Sequence, residues 1–340
     1  MPEVYPGIFM NTIPLPNNPL RSINNYLVVS KGQALMIDTA FNREVCINKM
    51  KEIVEDHNLD LSKLRLFLTH LHTDHTGLAS EFAKRGTEII CSDIDGKYIK
   101  EMAKEDSKHW KGIEERAVKD GLAEDNLSIE NHPGFRFRPS SSLEYSPSKD
   151  GDTIDVGDFH FRVVDLKGHT PGLQGLYEPN HKILFCGDHI LGKITPNITY
   201  WGPDFGDALG IYFSYLRKVY PMDIKHLYSS HRYLIDDHQM RIRELFDHHN
   251  RRLKELMKAL IDRGEMTVRQ ACKNMHWDIR ARSWEDFPDS QKWFAAGEAH
   301  AHLEHLKALG LVEEELRSGV LYYRTKVDRL PQMPLAGLFS

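Results

Sequence analysis

A cluster of histidines directly after a buried strand constrains this chain more than any other feature of its sequence. The apolar run Leu64–Leu68 predicts a strand, and it leads into His70-x-His72-x-Asp74-His75. Residues two apart project to the same side of a strand, so His70 and His72 can bind one ion. Asp74 and His75 lie on the following turn and can reach a second ion. The simpler alternative is a solvated histidine-rich turn, and other parts of the chain decide between the two.

Three further residues that could bind a metal stand at the ends of predicted strands. They are His169 after Val163–Leu166, Asp188 after Ile183–Cys186 and His231 after His226–Ser230. A strand end is a rigid mount that places a side chain at the rim of a sheet. Each of these residues alone has a plainer interpretation as a hydrogen-bonded rim residue. Together, seven nitrogen and oxygen ligands without a thiolate predict a two-metal site.

The composition is that of a soluble globular protein with room for two domains. The chain has 340 residues, 41% of them hydrophobic, and a formal net charge of −5. Its cysteines are widely spaced and form no CxxC pair: Cys46, Cys91, Cys186 and Cys272. This spacing argues against a disulfide framework and against a thiolate zinc site. It favours a reducing, cytoplasmic setting. No segment reaches the roughly 18 apolar residues of a membrane helix. Residues 1–20 predict an ordered, proline-rich loop and not a signal peptide.

Strands and helices alternate along the first part of the chain, which predicts an α/β protein with helices covering its sheets. Two hairpins are predicted, one at 153–165 and one at 174–186. A helical insertion at about 94–121 should lie over this domain, which we place at 1–236. The region 237–330 then predicts three helices and a hairpin, an arrangement typical of a winged helix.

The order of these motifs resembles the metallo-β-lactamase superfamily. HxHxDH, then Gly168-His169-Thr170-Pro171-Gly172, then Gly187-Asp188 and a histidine after a strand appear in sequence over residues 1–236. The resemblance implies an αββα sandwich with a binuclear site. It also implies the distribution of ligands: His70, His72 and His169 on the first metal, Asp74, His75 and His231 on the second, and Asp188 bridging.

Asp38, at the end of an early strand, matches the family's early aspartate, which steadies the ligand loop from outside the ligand set. An ordinary turn residue is the alternative. The tail resembles the winged-helix tail of the lactamase-β2-like branch. Its histidines His300, His302 and His305 invite a further metal site, but only the last two share a helix face and nothing in that stretch completes a set.

The resemblance implies a hydrolytic mechanism. Two divalent ions, roughly 3.5–4 Å apart, would lower the pKa of a bridging water and present hydroxide to a carbonyl or phosphoryl centre. Asp74 would orient the hydroxide and pass its proton to the leaving group. The diiron flavoprotein branch carries Glu at the position of His72, so His here favours two zinc ions, although manganese or iron can also load.

The substrate is less constrained. Tyr200, Trp201, Phe205 and Tyr212 follow Asp188 and could wall an apolar acyl pocket. Alternatively, the aromatic residues from 205 onward are the core face of a helix. An ester, thioester or lactone with a small apolar acyl part is our first prediction, and an endoribonuclease or phosphodiesterase is the second. An iron-dependent oxidoreductase and a non-catalytic binding module are the remaining alternatives; the complete ligand set opposes the last.

The charge of the tail argues against nucleic acid as a partner. Residues 240–330 hold 17 Lys+Arg and 15 Asp+Glu, a net charge of +2. The third helix offers Lys307 alone against Glu298 and Glu304, whereas a helix that reads a groove carries more cations. We therefore predict a small-molecule substrate, no membrane partner, and a tail that packs on the catalytic domain or forms a homodimer contact.

Overall fold

The computed structural model describes residues 2–331, which divide into two compact units. One unit comprises the chain up to His109, Pro133–Pro196 and Tyr215–His238. The other comprises Trp110–His132, Asn197–Ser214 and the chain from Gln239 onward. The second unit therefore includes two segments that lie within the predicted domain 1–236. Local sequence pattern shows that a segment is helical or apolar, but not which core it packs into.

A seven-stranded sheet carries the first half of the first unit. In chain order and in spatial order its strands are β1 (Glu3–Tyr5), β2 (Ile8–Pro14), β3 (Ser22–Ser30), β4 (Gln33–Ile37), β5 (Arg65–Phe67), β6 (Glu88–Ser92) and β7 (Ser146–Ser148). Neighbours from β1 to β4 are antiparallel, and those from β4 to β7 are parallel. The parallel pairs require crossover connections, and helices supply them.

The predicted N-terminal loop is wrong, because β1 and β2 occupy half of residues 1–20. β2 pairs with β3 over its whole length, from Ile8 opposite Val28 to Pro14 opposite Ser22. The prolines do not interrupt this pairing, since Pro6 lies in the turn between the strands and Pro14 is the last residue of β2. Proline is tolerated at strand ends, where no ladder hydrogen bond is lost.

A five-stranded sheet forms the second layer, in the order β12-β11-β10-β9-β8. Its strands are β8 (Thr153–Val156), β9 (Phe159–Asp165), β10 (Gln174–Glu178), β11 (Ile183–Gly187) and β12 (His226–Ser229). Both predicted hairpins are confirmed, and β11 pairs in parallel with β12. Buried side chains of both sheets, such as Val28, Phe67, Phe161 and Phe185, form one hydrophobic cluster, as in a face-to-face sandwich.

Ten helices complete the described chain. They are α1 (Glu44–Asp56), α2 (Thr73–Thr76), α3 (Ala79–Ala83), α4 (Asp93–Met102), α5 (Lys108–Lys119), α6 (Pro133–Arg136), α7 (Ala208–Val219), α8 (His238–Arg263), α9 (Val268–Asn274) and α10 (Asp289–Ala308). The predicted helical insertion at 94–121 is thus two helices. Within residues 2–331, no helix combines the length and apolar character needed to span a bilayer.

The C-terminal part of the second unit contains α8, α9, α10 and a small sheet. Its strands are β13 (Glu265–Met266), β14 (Val312–Arg317) and β15 (Val320–Thr325), in the order β13-β15-β14. The predicted terminal hairpin is confirmed as β14 and β15, which turn at Ser318 and Gly319, both with positive φ. The three helices and the hairpin are present, and the winged helix as such stays a prediction.

Candidate metal centre

Five of the seven predicted ligands lie on loops that follow strands, and the other two lie in the short helix α2. His70 and His72 follow β5, and Asp74 and His75 lie in the short helix α2. The other three follow β9, β11 and β12, respectively: His169, Asp188 and His231. The sheets are rigid, so the side chains that leave their ends are held in fixed relative positions.

Three histidines form the first group. Ligating atoms of His70, His72 and His169 all lie within 4.8 Å of one another. Nε2 of His70 and Nδ1 of His72 are 3.1 Å apart, and Nδ1 of His70 contacts the Thr69 hydroxyl at 3.0 Å. The first group therefore offers three imidazole nitrogens to one point.

Asp74, His75 and His231 form the second group, again with ligating atoms within 4.8 Å of one another. Oδ2 of Asp74 lies 3.3 Å from Nε2 of His231 and 3.9 Å from Nε2 of His75. Both histidines are completely buried. This group adds a carboxylate to two imidazoles.

Asp188 contacts both groups. Its Oδ2 lies 3.7 Å from Nε2 of His169, and its Oδ1 lies 3.6 Å from Nε2 of His75 and 3.5 Å from Nε2 of His231. One carboxylate that faces two ligand groups through its two oxygens is the arrangement of a bridging ligand. The seven predicted residues thus lie together as two groups that share one member.

In both buried histidines of the second group, the ring nitrogen that faces away from Asp188 has a partner in the protein. Nδ1 of His231 donates to the carbonyl of Ser22 at 2.8 Å, and Nδ1 of His75 lies 2.7 Å from Oδ2 of Asp38. Such contacts fix the ring and direct Nε2 inward, as in metal-binding histidines generally. The sequence did not point to Ser22, because a backbone carbonyl leaves no residue-type signal.

The inward atoms fit a cation. Nε2 of His75, Nε2 of His231 and Oδ1 of Asp188 are buried without a well-aligned hydrogen bond. A buried acceptor without a donor costs about 1–3 kcal/mol, so converging acceptors of this kind need a cation or protons. The donor set of imidazole and carboxylate suits a divalent transition metal.

Asp38 steadies the ligand loop from outside. Its Oδ1 accepts a hydrogen bond from the backbone N–H of Thr69 at 2.8 Å, while its Oδ2 contacts His75. Asn25 donates its side-chain amide to the Asp38 carbonyl at 2.7 Å and holds the residue at a φ of 63°. The aspartate thus joins the end of β4 to the loop that follows β5.

The protonation of the two groups differs. Burial, together with the neighbouring histidines, holds the pKa values of His70 and His72 well below the usual range. Burial also lowers the pKa of His231, but the charge of Asp188 outweighs it and raises that pKa to about 10. Burial raises the pKa of Asp74, but His75 and His231 outweigh it and lower that pKa to about 2. The second group is therefore a set of ion pairs when no metal is bound.

With this geometry established, the family can be assigned from the sequence. Residues 18–231 match the profile of the metallo-beta-lactamase superfamily. The chain belongs to the metallo-beta-lactamase superfamily. Proteins of this superfamily bind metal ions, and relatives of the chain are named as hydrolases, so the chain is a metallo-hydrolase.

Relatives in this superfamily carry several names. The probable metallo-hydrolase YqjP of Bacillus subtilis is 24% identical over 311 residues, 88% of this chain and 92% of that protein. An atrochrysone carboxyl ACP thioesterase from Cryptosporiopsis is 22% identical over 319 residues, 88% of this chain and 79% of that protein. The hydroxyacylglutathione hydrolase GloC of Haemophilus influenzae is 29% identical over 156 residues, 46% of this chain and 60% of that protein.

A solved metallo-beta-lactamase family protein from Thermus thermophilus shares the fold. Its TM-score is 0.79 at 22% identity, and the match covers 95% of this chain and 100% of that one. At this identity the likeness concerns the fold. It extends over both units and not only over the residues that match the superfamily profile.

The aromatic residues predicted to wall an acyl pocket belong to the second unit. Tyr212 is completely buried and contacts His249 with ring centroids 5.6 Å apart, as the helix-core alternative predicts. Tyr200 is half-buried and stacks on His300 at 4.0 Å. Trp201 and Phe205 are also partly exposed, so these two and Tyr200 stay candidates for a substrate contact.

The tail histidines have protein partners. Nδ1 of His300 lies 2.9 Å from Asp120, and Nδ1 of His305 lies 2.8 Å from Asp207. These carboxylates lie far away in sequence, so the stretch around residue 300 could not reveal them. Each histidine of this pair is occupied by an acid of the same unit.

In the second unit, His248, His249 and Glu298 also have potential metal-binding atoms within 4.8 Å of one another. The guanidinium of Arg252 lies against it: Nε donates to Nε2 of His248 at 3.0 Å and is 3.5 Å from Glu298. Arginine keeps its charge in proteins. A cationic side chain therefore stands where a metal ion would have to bind.

Proposed function

We propose that this metallo-hydrolase holds two zinc ions and cleaves an ester, thioester or lactone of a small apolar acyl group, with thioesters as the first class. The observation that carries the proposal is the sharing of Asp188 by two buried groups of ligands. Relatives named as an ACP thioesterase and a hydroxyacylglutathione hydrolase support the thioester class.

His70, His72 and His169 would hold one ion, Asp74, His75 and His231 the other, and Asp188 both. Imidazole-rich sites without thiolates suit zinc, while manganese and iron compete for the same donors. When bound, such ions lower the pKa of a water and polarise the substrate oxygen. Most of these side chains are buried, which limits their movement.

Asp74 is the residue to which we give a direct part in the reaction. Its carboxylate is ionised at neutral pH, since His75 and His231 lower its pKa against the effect of burial. It can accept a hydrogen bond from the attacking water and direct the oxygen lone pair to the acyl carbon. The water oxygen would bond to the acyl carbon, the C–S bond would break, and one proton of the water would pass through Asp74 to the thiolate sulfur, which gives a carboxylic acid and a thiol.

The test is hydrolysis by protein purified without a chelator or metal-binding tag. We expect about two zinc ions per chain and turnover of at least one substrate in a panel of thioesters, esters, lactones and RNA. Asp74→Ala should abolish turnover, whereas Asp204→Ala, at an exposed position of the second unit, should not. Full turnover by Asp74→Ala with normal metal content would refute its role, and RNA as the sole substrate would refute the thioester proposal.

A further inference from the structure

A buried aspartate outside the predicted ligand set lies between two ligand loops. Asp95 is in the first turn of α4, directly after β6, and its backbone N–H is bound by the Ser92 hydroxyl at 3.1 Å. Its side chain is only 1% exposed. A buried carboxylate is costly unless hydrogen bonds compensate it, so its contacts need an explanation.

Three donors from two loops converge on this carboxylate. Oδ2 of Asp95 accepts from the backbone N–H of Leu71 at 3.0 Å and from the hydroxyl of Thr170 at 2.7 Å. Oδ1 accepts from the backbone N–H of Gly172 at 2.7 Å. Leu71 lies between His70 and His72 in sequence, and Thr170 directly follows His169. One side chain therefore connects the two loops that carry the first ligand group.

Gly172 shows how closely these loops approach. A Cβ atom at this position would lie 2.3 Å from the Ser92 hydroxyl oxygen and 2.6 Å from Oδ1 of Asp95. Contacts this short do not occur, so any larger residue would move the loop away from the carboxylate. Gly172, the second glycine of the Gly-His-Thr-Pro-Gly segment, is thus required because its loop lies against Asp95 and against Ser92, the N-cap of α4.

The second ligand group is held by different residues. The carbonyl of His75 accepts from both the N–H and the hydroxyl of Thr39, at 2.7 and 2.6 Å, and its ring contacts Asp38. The ring of His231 is held by the Ser22 carbonyl. Asp38 contacts both His75 and Thr69, the residue before His70, whereas the three hydrogen bonds to the Asp95 carboxylate come from the two loops of the first group.

We infer that Asp95 is a positioning residue for the first metal: it sets the distance of His169 from His70 and His72 by tying their loops together. This inference rests on the proposed metal site. The ligands themselves follow separate strands, and one main-chain hydrogen bond, from the N–H of Gln174 to the carbonyl of Thr69 at 2.9 Å, joins the same two segments beside the contacts of Asp95.

The conservative variant Asp95→Asn tests it, because the amide keeps the size of the carboxylate but cannot accept from all three donors. We expect affinity for one of the two zinc ions to fall by about 10–100-fold, as for other residues that orient metal ligands. Affinity for the other ion should stay within about twofold. The measurement is zinc titration in competition with a chelating dye, at a temperature well below unfolding. Asp93→Asn is the matched control, since Asp93 lies on the same turn but is exposed and paired with Lys97.

A double-mutant cycle separates positioning from general stability. If Asp95 acts through the His169 loop, Asp95→Asn combined with His169→Ala should bind zinc no more weakly than His169→Ala alone. Additive losses, or a zinc titration of Asp95→Asn like that of the wild type, would overturn the inference and leave the metal site intact. Failure of the wild type to bind zinc would instead overturn the proposed function. Melting of the metal-free variants reports any structural loss separately.

Discussion

Two regions within residues 2–331 are rich in histidine, and their ring nitrogens have different partners. In the first unit, Nδ1 of His75 and of His231 is anchored outward, and both Nε2 atoms point at Asp188. In the second unit, Nδ1 of His302 contacts the carbonyl of Glu298 at 2.7 Å and its Nε2 meets His249 at 3.1 Å. The comparison teaches that the partner of each ring nitrogen matters more than the number of histidines.

The two regions also differ in which group carries the positive charge. Burial raises the pKa of Glu298, but Arg252 outweighs it and lowers that pKa to about 2. Burial lowers the pKa of His302 to about 4, so this ring is neutral at pH 7. The cation of the second region is thus an arginine of the chain itself. In the first region, Asp188 and Asp74 face histidines that lose protons when a metal binds.

Removal of Asp188 should have the largest effect. Asp188→Ala deletes the carboxylate shared by both ligand groups, so we expect loss of both zinc ions at micromolar free zinc. Substrate should then be hydrolysed no faster than in buffer without protein. Metal content after equilibrium dialysis checks this. Retention of two ions would break the comparison, because it would show that the shared carboxylate is not what holds the first region together.

The second region should respond in stability and not in metal content. Glu298→Gln leaves the partly buried Arg252 without its carboxylate, and since loss of one member of a fully buried pair costs about 3–5 kcal/mol, we expect a loss at or below the lower end of this range. Thermal unfolding should therefore occur at a clearly lower temperature, while zinc per chain stays at the wild-type value. Glu285→Gln is the control: its pair with Lys273 is exposed and should change stability by less than about 1 kcal/mol. Loss of zinc in Glu298→Gln would make the second region a metal site after all.

The pH dependence of zinc affinity sharpens the contrast. Burial lowers the pKa of His231, Asp188 outweighs it, and the net pKa of about 10 in the folded chain exceeds the unfolded value of about 6.5. Its charged form therefore stabilises the metal-free fold below about pH 6.5, and this contribution is lost as pH rises through 10.

Zinc requires the neutral ring, so binding releases this proton. The affinity should therefore rise about tenfold per pH unit for each proton released between pH 6.5 and 8. Zinc titrations at several pH values, and binding heats in two buffers of different ionisation enthalpy, measure the effect. An affinity that does not change with pH would contradict the ion pairs of the second ligand group.

Much of the fold and the centre was predictable because the signals are local. Four of the predicted ligands lie within the six residues from His70 to His75. The hairpins at 153–165 and 174–186 have apolar residues on either side of a turn. β1 and β2 are not predicted from the sequence because Pro6 and Pro14 argue for a loop, and the apolar residues of β2, such as Ile8 and Ile13, do not alternate regularly. Whether a proline interrupts a strand can be judged only when the neighbouring strand and the register of pairing are known.

The sequence by itself predicts the seven candidate ligands, their order along the chain and the strands that precede them, since each lies within a few residues of a strand end. Only the tertiary structure decided that Asp188 contacts both groups, that Asp95 ties two loops, and that His300 and His305 are occupied by Asp120 and Asp207. The physical reason is distance along the chain. A contact between residues 19 to 180 positions apart depends on how sheets and helices pack, and no local pattern of residue types records it.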